Sequence, residues 1–385
     1  MNQPLRRGSV AIVGAAESDL GKVAPGLGPI DLMAQAAGRA LDDCGLSLRD
    51  VDAVFATTSQ SRMPTLALCE YLGIQPRYHD ATNMGGASFM TMVGRAQAAI
   101  EAGLCEVALI AYGSTQRSMG RANVAAPDLN PHETPYRPLY TASSYALAAS
   151  RHMHEYGTTR RQLAEIAVAA RQWALRNPAA WEKKPLTVDE VLASPMISEP
   201  LTLRDCCLVT DGGGALIVTS AARARDLRRP PAYMLGVGEA ISHYSISAMP
   251  DLTATAAAQS GALAYRMAGL APGDMDVAQL YDAFTITTLL FLEDLGFCPK
   301  GEGGRYVENG RIAPGGEMPV NTSGGGLSYC HPGMYGIFAL IEAVRQLRGD
   351  CADRQVAGCQ TALAHGNGGT LSSQSTVILG SAAVL

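Results

Sequence analysis

Charge is scarce in this chain, and long apolar runs are missing. Only 17% of its 385 residues are charged, and the formal net charge is −5. Without a basic surplus to neutralise phosphates, nucleic acid and anionic membrane surfaces are not expected partners. No run reaches the roughly 18 apolar residues that a spanning helix needs, so no membrane span is expected. The opening Met1-Asn-Gln-Pro-Leu-Arg-Arg-Gly8 leads into the apolar Val10–Val13. That run is too short for a signal-peptide core with a cleavage site behind it. The nine cysteines are odd in number and include no Cys-x-x-Cys pair. This excludes a disulfide framework and a zinc site defined by spacing, and no metal is expected. The thiols read as small reduced core residues of a cytoplasmic protein.

What is present is apolar residues, 47% of the chain. Together with the low charge, that argues against disorder. The length suffices for a large core or two fused domains. The sequence also repeats itself. Gly45-Leu46, Asp50 and Asp52 recur with the same spacing as Gly269-Leu270, Asp274 and Asp276. Ile100-Glu101-Ala102 matches Ile341-Glu342-Ala343, and Cys105-x-x-Ala108-Leu109 matches Cys359-x-x-Ala362-Leu363. Three matches in order suggest a duplicated βα unit. Short apolar strands are expected at Val10–Val13, Ala53–Ala56, Val107–Ala111 and Val277–Tyr281. Helices are expected at Asp31–Leu41, at Phe89–Ile100 on an apolar face of helical spacing, and at Arg161–Leu175. Strands alternating with helices predict an α/β fold with helices on both sides of the sheet.

Residues 83–103 read Asn83-Met-Gly-Gly86-Ala-Ser88-Phe-Met-Thr-Met-Val-Gly-Arg-Ala-Gln-Ala-Ala-Ile100-Glu-Ala-Gly103. This segment resembles the one in thiolases that carries the nucleophilic cysteine at the start of a buried helix. Counted back from Ile-x-x-Gly, the nucleophile's place falls on Gly86, which cannot form an acyl-enzyme. Further strings carry the resemblance: His154-Glu-Tyr-Gly-Thr-Thr-Arg-Arg-Gln-Leu-Ala-Glu-Ile-Ala, Leu192-Ala-Ser-Pro-Met-Ile, Leu201-Thr-Leu-Arg-Asp-Cys-Cys and Asp211-Gly-Gly-Gly-Ala. They resemble the sterol-carrier-protein-X, or lipid-transfer-protein, branch of the thiolase superfamily. The resemblance implies a thiolase-like five-layer αβαβα sandwich of two duplicated βαβαβαββ halves, as a homodimer. It divides the chain into an N-terminal half (1–114 plus 201–228), an inserted cap (115–200) that covers a pantetheine tunnel for CoA, and a C-terminal half (229–385).

The resemblance also locates four active-site motifs. The nucleophile motif holds Gly86. The Asn-or-His-Glu-Ala-Phe motif becomes Tyr281-Asp282-Ala283-Phe284. The Gly-His-Pro motif becomes Cys330-His331-Pro332, with its histidine kept. The Cys-x-Gly-Gly-Gly motif becomes His365-Gly366-Asn367-Gly368-Gly369, with His365 in the place of the second cysteine. Ser88 reads as a helix N-cap more readily than as a nucleophile. Cys330 reads as a small filler rather than a relocated nucleophile. Gly325 and Gly326, in Asn321-Thr-Ser-Gly-Gly-Gly326, are equally a tight turn or a ligand approach. His79, His132, His152, His154 and His243 read as surface or structural histidines.

What remains is a CoA-thioester pocket without a covalent step. His331 is expected to polarise the thioester carbonyl. Tyr281 and Tyr335 are expected to donate or exchange protons, Tyr335 one helical turn from His331. His365 is expected to serve as general acid–base. Gly86, Ser88, Gly325, Gly326, Asn367 and Gly368 are expected to line the substrate site. Retro-aldol cleavage of a β-hydroxyacyl-CoA needs such a set, with CoA entering as part of the substrate and no bound cofactor. The motif combination is similar to the steroid side-chain aldolases, which implies a small zinc-ribbon/OB-fold acyl-CoA-binding partner. Two other readings stand beside it: an acyltransferase with an unusual nucleophile, and a non-catalytic acyl-CoA or lipid binder.

Overall fold

The computed structural model describes residues 5–120 and 130–385. Residues 1–4, part of the opening segment read above, and 121–129, part of the expected cap, lie outside the described residues. Among the described residues the main sheet has nine strands: β1 (Val10–Glu17), β2 (Ala53–Thr57), β3 (Tyr78–Asp80), β4 (Val107–Ser114), β5 (Gly212–Ser220), β6 (Ala232–Ile241), β7 (Val277–Leu280), β8 (Thr361–Gly368) and β9 (Ser373–Gly380). Their order is β3-β2-β4-β5-β1-β6-β9-β8-β7.

This sheet is two copies of one plan. In the first half β1 pairs antiparallel with β5, β5 with β4, and β4 parallel with β2. In the second, β6 pairs antiparallel with β9, β9 with β8, and β8 parallel with β7. A parallel bridge from Ala278 to Val320 stands where β3 stands in the first half. Among the described residues the ladder between the two half-sheets is short, pairing Ala11↔Tyr233 and Ile12↔Ala232.

Seven helices position the site: α1 (Pro29–Cys44), α2 (Ser88–Glu101), α3 (Ala142–Tyr156), α4 (Arg160–Leu175), α5 (Ala257–Ala268), α6 (Thr285–Asp294) and α7 (Gly336–Arg348). Helix α1 covers β1, β4 and β5, and α5 covers β6 and β9. Helices α2 and α7 lie between the half-sheets and touch both. The layers are therefore α1, half-sheet, α2 with α7, half-sheet, α5, the expected αβαβα sandwich. Strands covered on both faces carry no polar alternation, and β1, β4 and β8 are buried almost throughout. Helix α2 is likewise buried over most of its surface, as a middle layer requires.

The repeat has a structural cause. Gly45 and Gly269 end α1 and α5 in the left-handed conformation that a C-cap favours. A single 3₁₀ turn follows each, Leu48–Asp50 and Pro272–Asp274. Asp52 then accepts the N–H groups of Glu106 and Val107, and Asp276 those of Gln360 and Thr361. Each carboxylate ties the start of one strand to its parallel neighbour. The Ile-Glu-Ala match does not superpose. Glu101 closes α2, whereas Glu342 is buried in the middle of α7, where it pairs with Arg354 at 3.0 Å.

Helices α3 and α4 pack against α6, and α4 also against the π-helical turn Gly325–Tyr329. His152, fully buried, lies 2.9 Å from Thr158 Oγ1 and 3.1 Å from the Glu293 carboxylate. It is a satisfied structural histidine that fastens α3 to α6.

Candidate active site

Tyr281 follows β7 directly, and its ring enters the space in front of Gly86. A Cβ added to Gly86 would lie 1.9 Å from Tyr281 Cε2 and 2.8 Å from the Asn367 carbonyl oxygen. No side chain of any kind fits at position 86 while Tyr281 keeps this position. The bare glycine and the tyrosine are thus one spatial fact: the Tyr281 ring fills the volume that a side chain at position 86 would need.

The Tyr281 hydroxyl lies 2.9 Å from His331 Nε2 and 3.3 Å from the Gly333 carbonyl. The two rings meet edge to face at 5.6 Å. His331 is held by its backbone: its N–H donates to Thr210 Oγ1 at 3.0 Å, and its carbonyl accepts from Thr210 at 3.2 Å. The turn behind it is clamped by Tyr112 on β4, which donates to the Pro332 carbonyl and accepts the Met334 N–H. Burial pushes the His331 pKa down to about 4 and the Tyr281 phenol well above its ordinary value. At neutral pH an uncharged imidazole therefore faces an uncharged phenol.

Both groups line a cavity of about 410 Å³. Gly86, Asn367 and Gly368 line it as well, and so, among the residues that the motifs did not single out, do Tyr145 and Cys207. Tyr145 comes from α3, where it shares a buried face with Ala148, Ala149 and His152. It stacks on Phe284 at 4.4 Å. A polar-tipped aromatic one turn before two buried alanines was the available signal. Cys207 is fixed by its N–H donating to the Ala283 carbonyl at 2.9 Å, and burial raises its thiol pKa.

Five expected site residues lie elsewhere. Tyr335 is fully buried behind Tyr281, their rings 5.8 Å apart, and its hydroxyl pairs with Ser323 at 3.0 Å. The segment from His331 to Tyr335 is a Pro-Gly turn rather than a helix, so the one-turn spacing does not apply. His365 is fully buried against Phe291, with Thr376 and Gln374 each 2.9 Å from one ring nitrogen. It lies two residues back along β8 from Asn367, on the same face but about 7 Å deeper. Ser88 is buried in the first turn of α2 and accepts the Met84 N–H at 2.8 Å. It locks the loop rather than capping the helix, whose N-cap is Ala87.

Gly325 and Gly326 wrap Asp282 instead of substrate. Gly326 and Leu327 donate their N–H groups to its carboxylate at 2.6 and 3.2 Å. A Cβ on Gly325 would lie 2.0 Å from Asp282 Oδ2. Burial raises the Asp282 pKa to about 7 against these two donors. Cys330 is the buried filler expected, its thiol pKa raised by burial. Among the described residues no three His, Cys, Asp or Glu side chains form a group that could hold a metal ion.

Comparison with known proteins agrees with this architecture. A family profile described as "Thiolase C-terminal domain-like" matches residues 238–381. An acetyl-CoA acetyltransferase of Methanothermobacter thermautotrophicus is 32% identical over 94% of this chain and 96% of its own length. The 17-hydroxy-3-oxo-4-pregnene-20-carboxyl-CoA lyase of Mycobacterium tuberculosis is 35% identical over 92% of this chain and 95% of its own. A solved Ltp2-ChsH2(DUF35) aldolase superposes with a TM-score of 0.88 at 32% identity, covering 98% of this chain and 99% of that one.

Proposed function

The chain belongs to the thiolase superfamily, and from that premise we propose that it cleaves a β-hydroxyacyl-CoA by a retro-aldol reaction, without an acyl-enzyme. The observation that carries this reading is the Tyr281 ring in the volume of the Gly86 side chain, its hydroxyl 2.9 Å from His331. Acyl transfer needs a nucleophile at that point, and the site offers a proton relay instead.

In the reaction the β-hydroxyl of the substrate gives its proton to Tyr281 Oη as Tyr281 passes its own to His331 Nε2. The bond between Cα and Cβ breaks. The β-carbon leaves as a ketone or aldehyde, and the electron pair remains on the thioester as an enolate. The imidazolium formed at His331 then returns its proton to Cα, giving acetyl- or propionyl-CoA. The site starts and ends uncharged. An isolated phenol of ordinary pKa near 10 is a poor base at neutral pH; the neutral imidazole gives its proton an acceptor, one whose basicity burial lowers, so the proton passes on to Cα rather than resting at His331.

A second cavity of about 350 Å³ shares Cys207 with the first and is bordered by Arg117, Trp181 and Arg204. We place the CoA arm there, under the cap read as residues 115–200. CoA enters as part of the substrate. The likeness to the Ltp2-ChsH2(DUF35) aldolase supports a small partner protein, which the sequence resemblance makes a zinc-ribbon/OB-fold one; the homodimer rests on that resemblance alone. No described helix is long and apolar enough to cross a membrane. Free thiols throughout support a cytoplasmic setting.

The test is mass spectrometry of CoA products from matched 3-hydroxyacyl- and 3-oxoacyl-CoA substrates, the latter with free CoA, with and without an OB-fold partner. The expected products are acetyl- or propionyl-CoA plus a carbonyl compound, from the hydroxy substrate alone. Tyr281→Phe should lower that rate about 100-fold or more. Chain-shortened acyl-CoA from the oxo substrate would instead establish the acyltransferase reading, which the likeness to an acetyltransferase keeps as the second choice.

A further inference from the structure

His365 is buried, yet it is not isolated from the cavity. A continuous chain of hydrogen bonds leads from it to the cavity wall. Thr376 Oγ1 meets His365 Nδ1 at 2.9 Å, and His365 Nε2 meets Gln374 Oε1 at 2.9 Å. Gln374 Nε2 donates to Asn367 Oδ1 at 2.9 Å, and Asn367 Nδ2 donates to the Tyr145 hydroxyl oxygen at 2.9 Å. All these side chains are nearly or fully buried.

The direction of the chain matters. The Gln374 carbonyl oxygen faces His365, so Nε2 carries the imidazole proton and Nδ1 accepts from Thr376. Each amide is thereby oriented, and Tyr145 receives an N–H on its oxygen. Its own proton stays free to point outward. The protein acceptor within its reach is the Gly369 carbonyl at 3.3 Å, a long contact that a substrate oxygen can replace. A hydroxyl whose oxygen already accepts a hydrogen bond is also a better donor. Tyr145 and Tyr281 line one cavity, and the Asn367 backbone carbonyl and the Tyr281 ring both converge on Gly86.

Retro-aldol cleavage needs two separate functions at the substrate. One takes the β-hydroxyl proton, and the Tyr281–His331 pair supplies it. The other stabilises negative charge on the thioester oxygen as the enolate forms. We propose that Tyr145 is the second catalytic tyrosine, donating to the thioester oxygen, and that His365 is a positioning residue that acts on it only through Gln374 and Asn367. This rests on the retro-aldol reading. The phenol remains protonated across the working range, since burial raises its pKa to about 12.

Two readouts test the proposal on the full chain, together with its partner if activity requires one. The first is steady-state cleavage of the hydroxyacyl-CoA. The second is exchange of the α-protons of propionyl-CoA in D₂O, which needs only enolate formation. Tyr145→Phe should lower kcat about 100-fold or more, with KM within about threefold, and slow the exchange to a similar degree. His365→Asn should lower kcat in the wild-type background but add nothing in the Tyr145→Phe background, because both act through one hydroxyl. A general weakening of the fold would lower both alike. If Tyr145→Phe does not fold, Asn367→Asp serves instead. A carboxylate would take the Tyr145 proton for itself and should reproduce the loss of kcat and of exchange. A kcat within threefold of wild type, or a rise in KM alone, overturns the proposal. Absence of hydroxyacyl-CoA cleavage by the wild-type protein, with exchange still dependent on Tyr145, sinks the retro-aldol reading and leaves the donor role standing. Exchange unaffected by Tyr145→Phe sinks the donor role whichever reaction is found.

Discussion

One carbon atom separates Gly86 from any other residue, and Tyr281 leaves no room for it. The Cβ position lies 1.9 Å from the tyrosine ring and 2.8 Å from the Asn367 carbonyl. Gly86→Ala therefore has to displace either the ring or β8. Overpacking of this kind costs about 1–3 kcal/mol. Displacing the ring also breaks the 2.9 Å contact to His331, so activity should fall further than stability alone accounts for. Urea melts and cleavage rates measured on the same preparation check this. A variant with full activity and unchanged stability would show that Tyr281 does not hold the position described. By the same collision Gly86→Cys alone should not confer thiolysis, because the thiol and the phenol compete for one volume. Cys330 and Ser88, the other residues weighed as nucleophiles, are each buried away from the cavity.

Single elements show where sequence reasoning succeeded. The paired Gly-Leu and Asp spacings after α1 and α5 were legible because a C-cap, a 3₁₀ turn and a strand-tying carboxylate each demand a particular residue. Tyr281 and His331 were legible because they stand in motifs next to strand and turn ends. Depth was not legible. His365 and Asn367 share a face of β8, and nothing in the spacing says that one reaches the cavity and the other stops beneath it. Tyr145 was missed because it stands on α3, outside the four active-site motifs. Gly325 and Gly326 were ambiguous because a glycine-rich turn serves a buried carboxylate as readily as a ligand. That carboxylate gives a prediction. The pKa of Asp282 is raised to about 7, so its contribution to stability is full below the unfolded value near 4 and is lost as pH rises through about 7. His331 and His365, both lowered to about 4, run the other way, and their contribution is lost as pH falls through about 4. Between pH 4 and 6.5 two protons oppose one, and these three groups together make unfolding free energy rise with pH. Asp282→Asn removes the opposing proton and should steepen that rise by at most about 1.4 kcal/mol per pH unit. Urea melts of both proteins at pH 5 and pH 6.5 measure it. Parallel slopes would mean that Asp282 is ionised throughout that range.

Across the whole molecule the thiols decide between lyase and acyltransferase chemistry. An acyl-enzyme on cysteine needs a thiolate, and a reactive cysteine carries a pKa below the free value near 8.5. All nine cysteines of this chain are free, and all nine have pKa values raised by burial. Burial pushes the Cys105 thiol up to about 11 and those of Cys206, Cys298 and Cys359 up to about 12. Cys207 is the cysteine among the cavity-lining residues, and it is no exception. The fold is the thiolase sandwich, while burial disfavours the thiolate at each of its cysteines. Intact-mass spectra during turnover with an acyl-CoA should accordingly show no added acyl group. Iodoacetamide at neutral pH should label the native protein slowly, and all nine thiols quickly once urea unfolds it. Cys207→Ser should retain cleavage activity within a few fold. A stoichiometric acyl adduct that Cys207→Ser abolishes would reverse the assignment. It would make this chain an acyltransferase with its nucleophile moved from α2 to the loop beside Ala283.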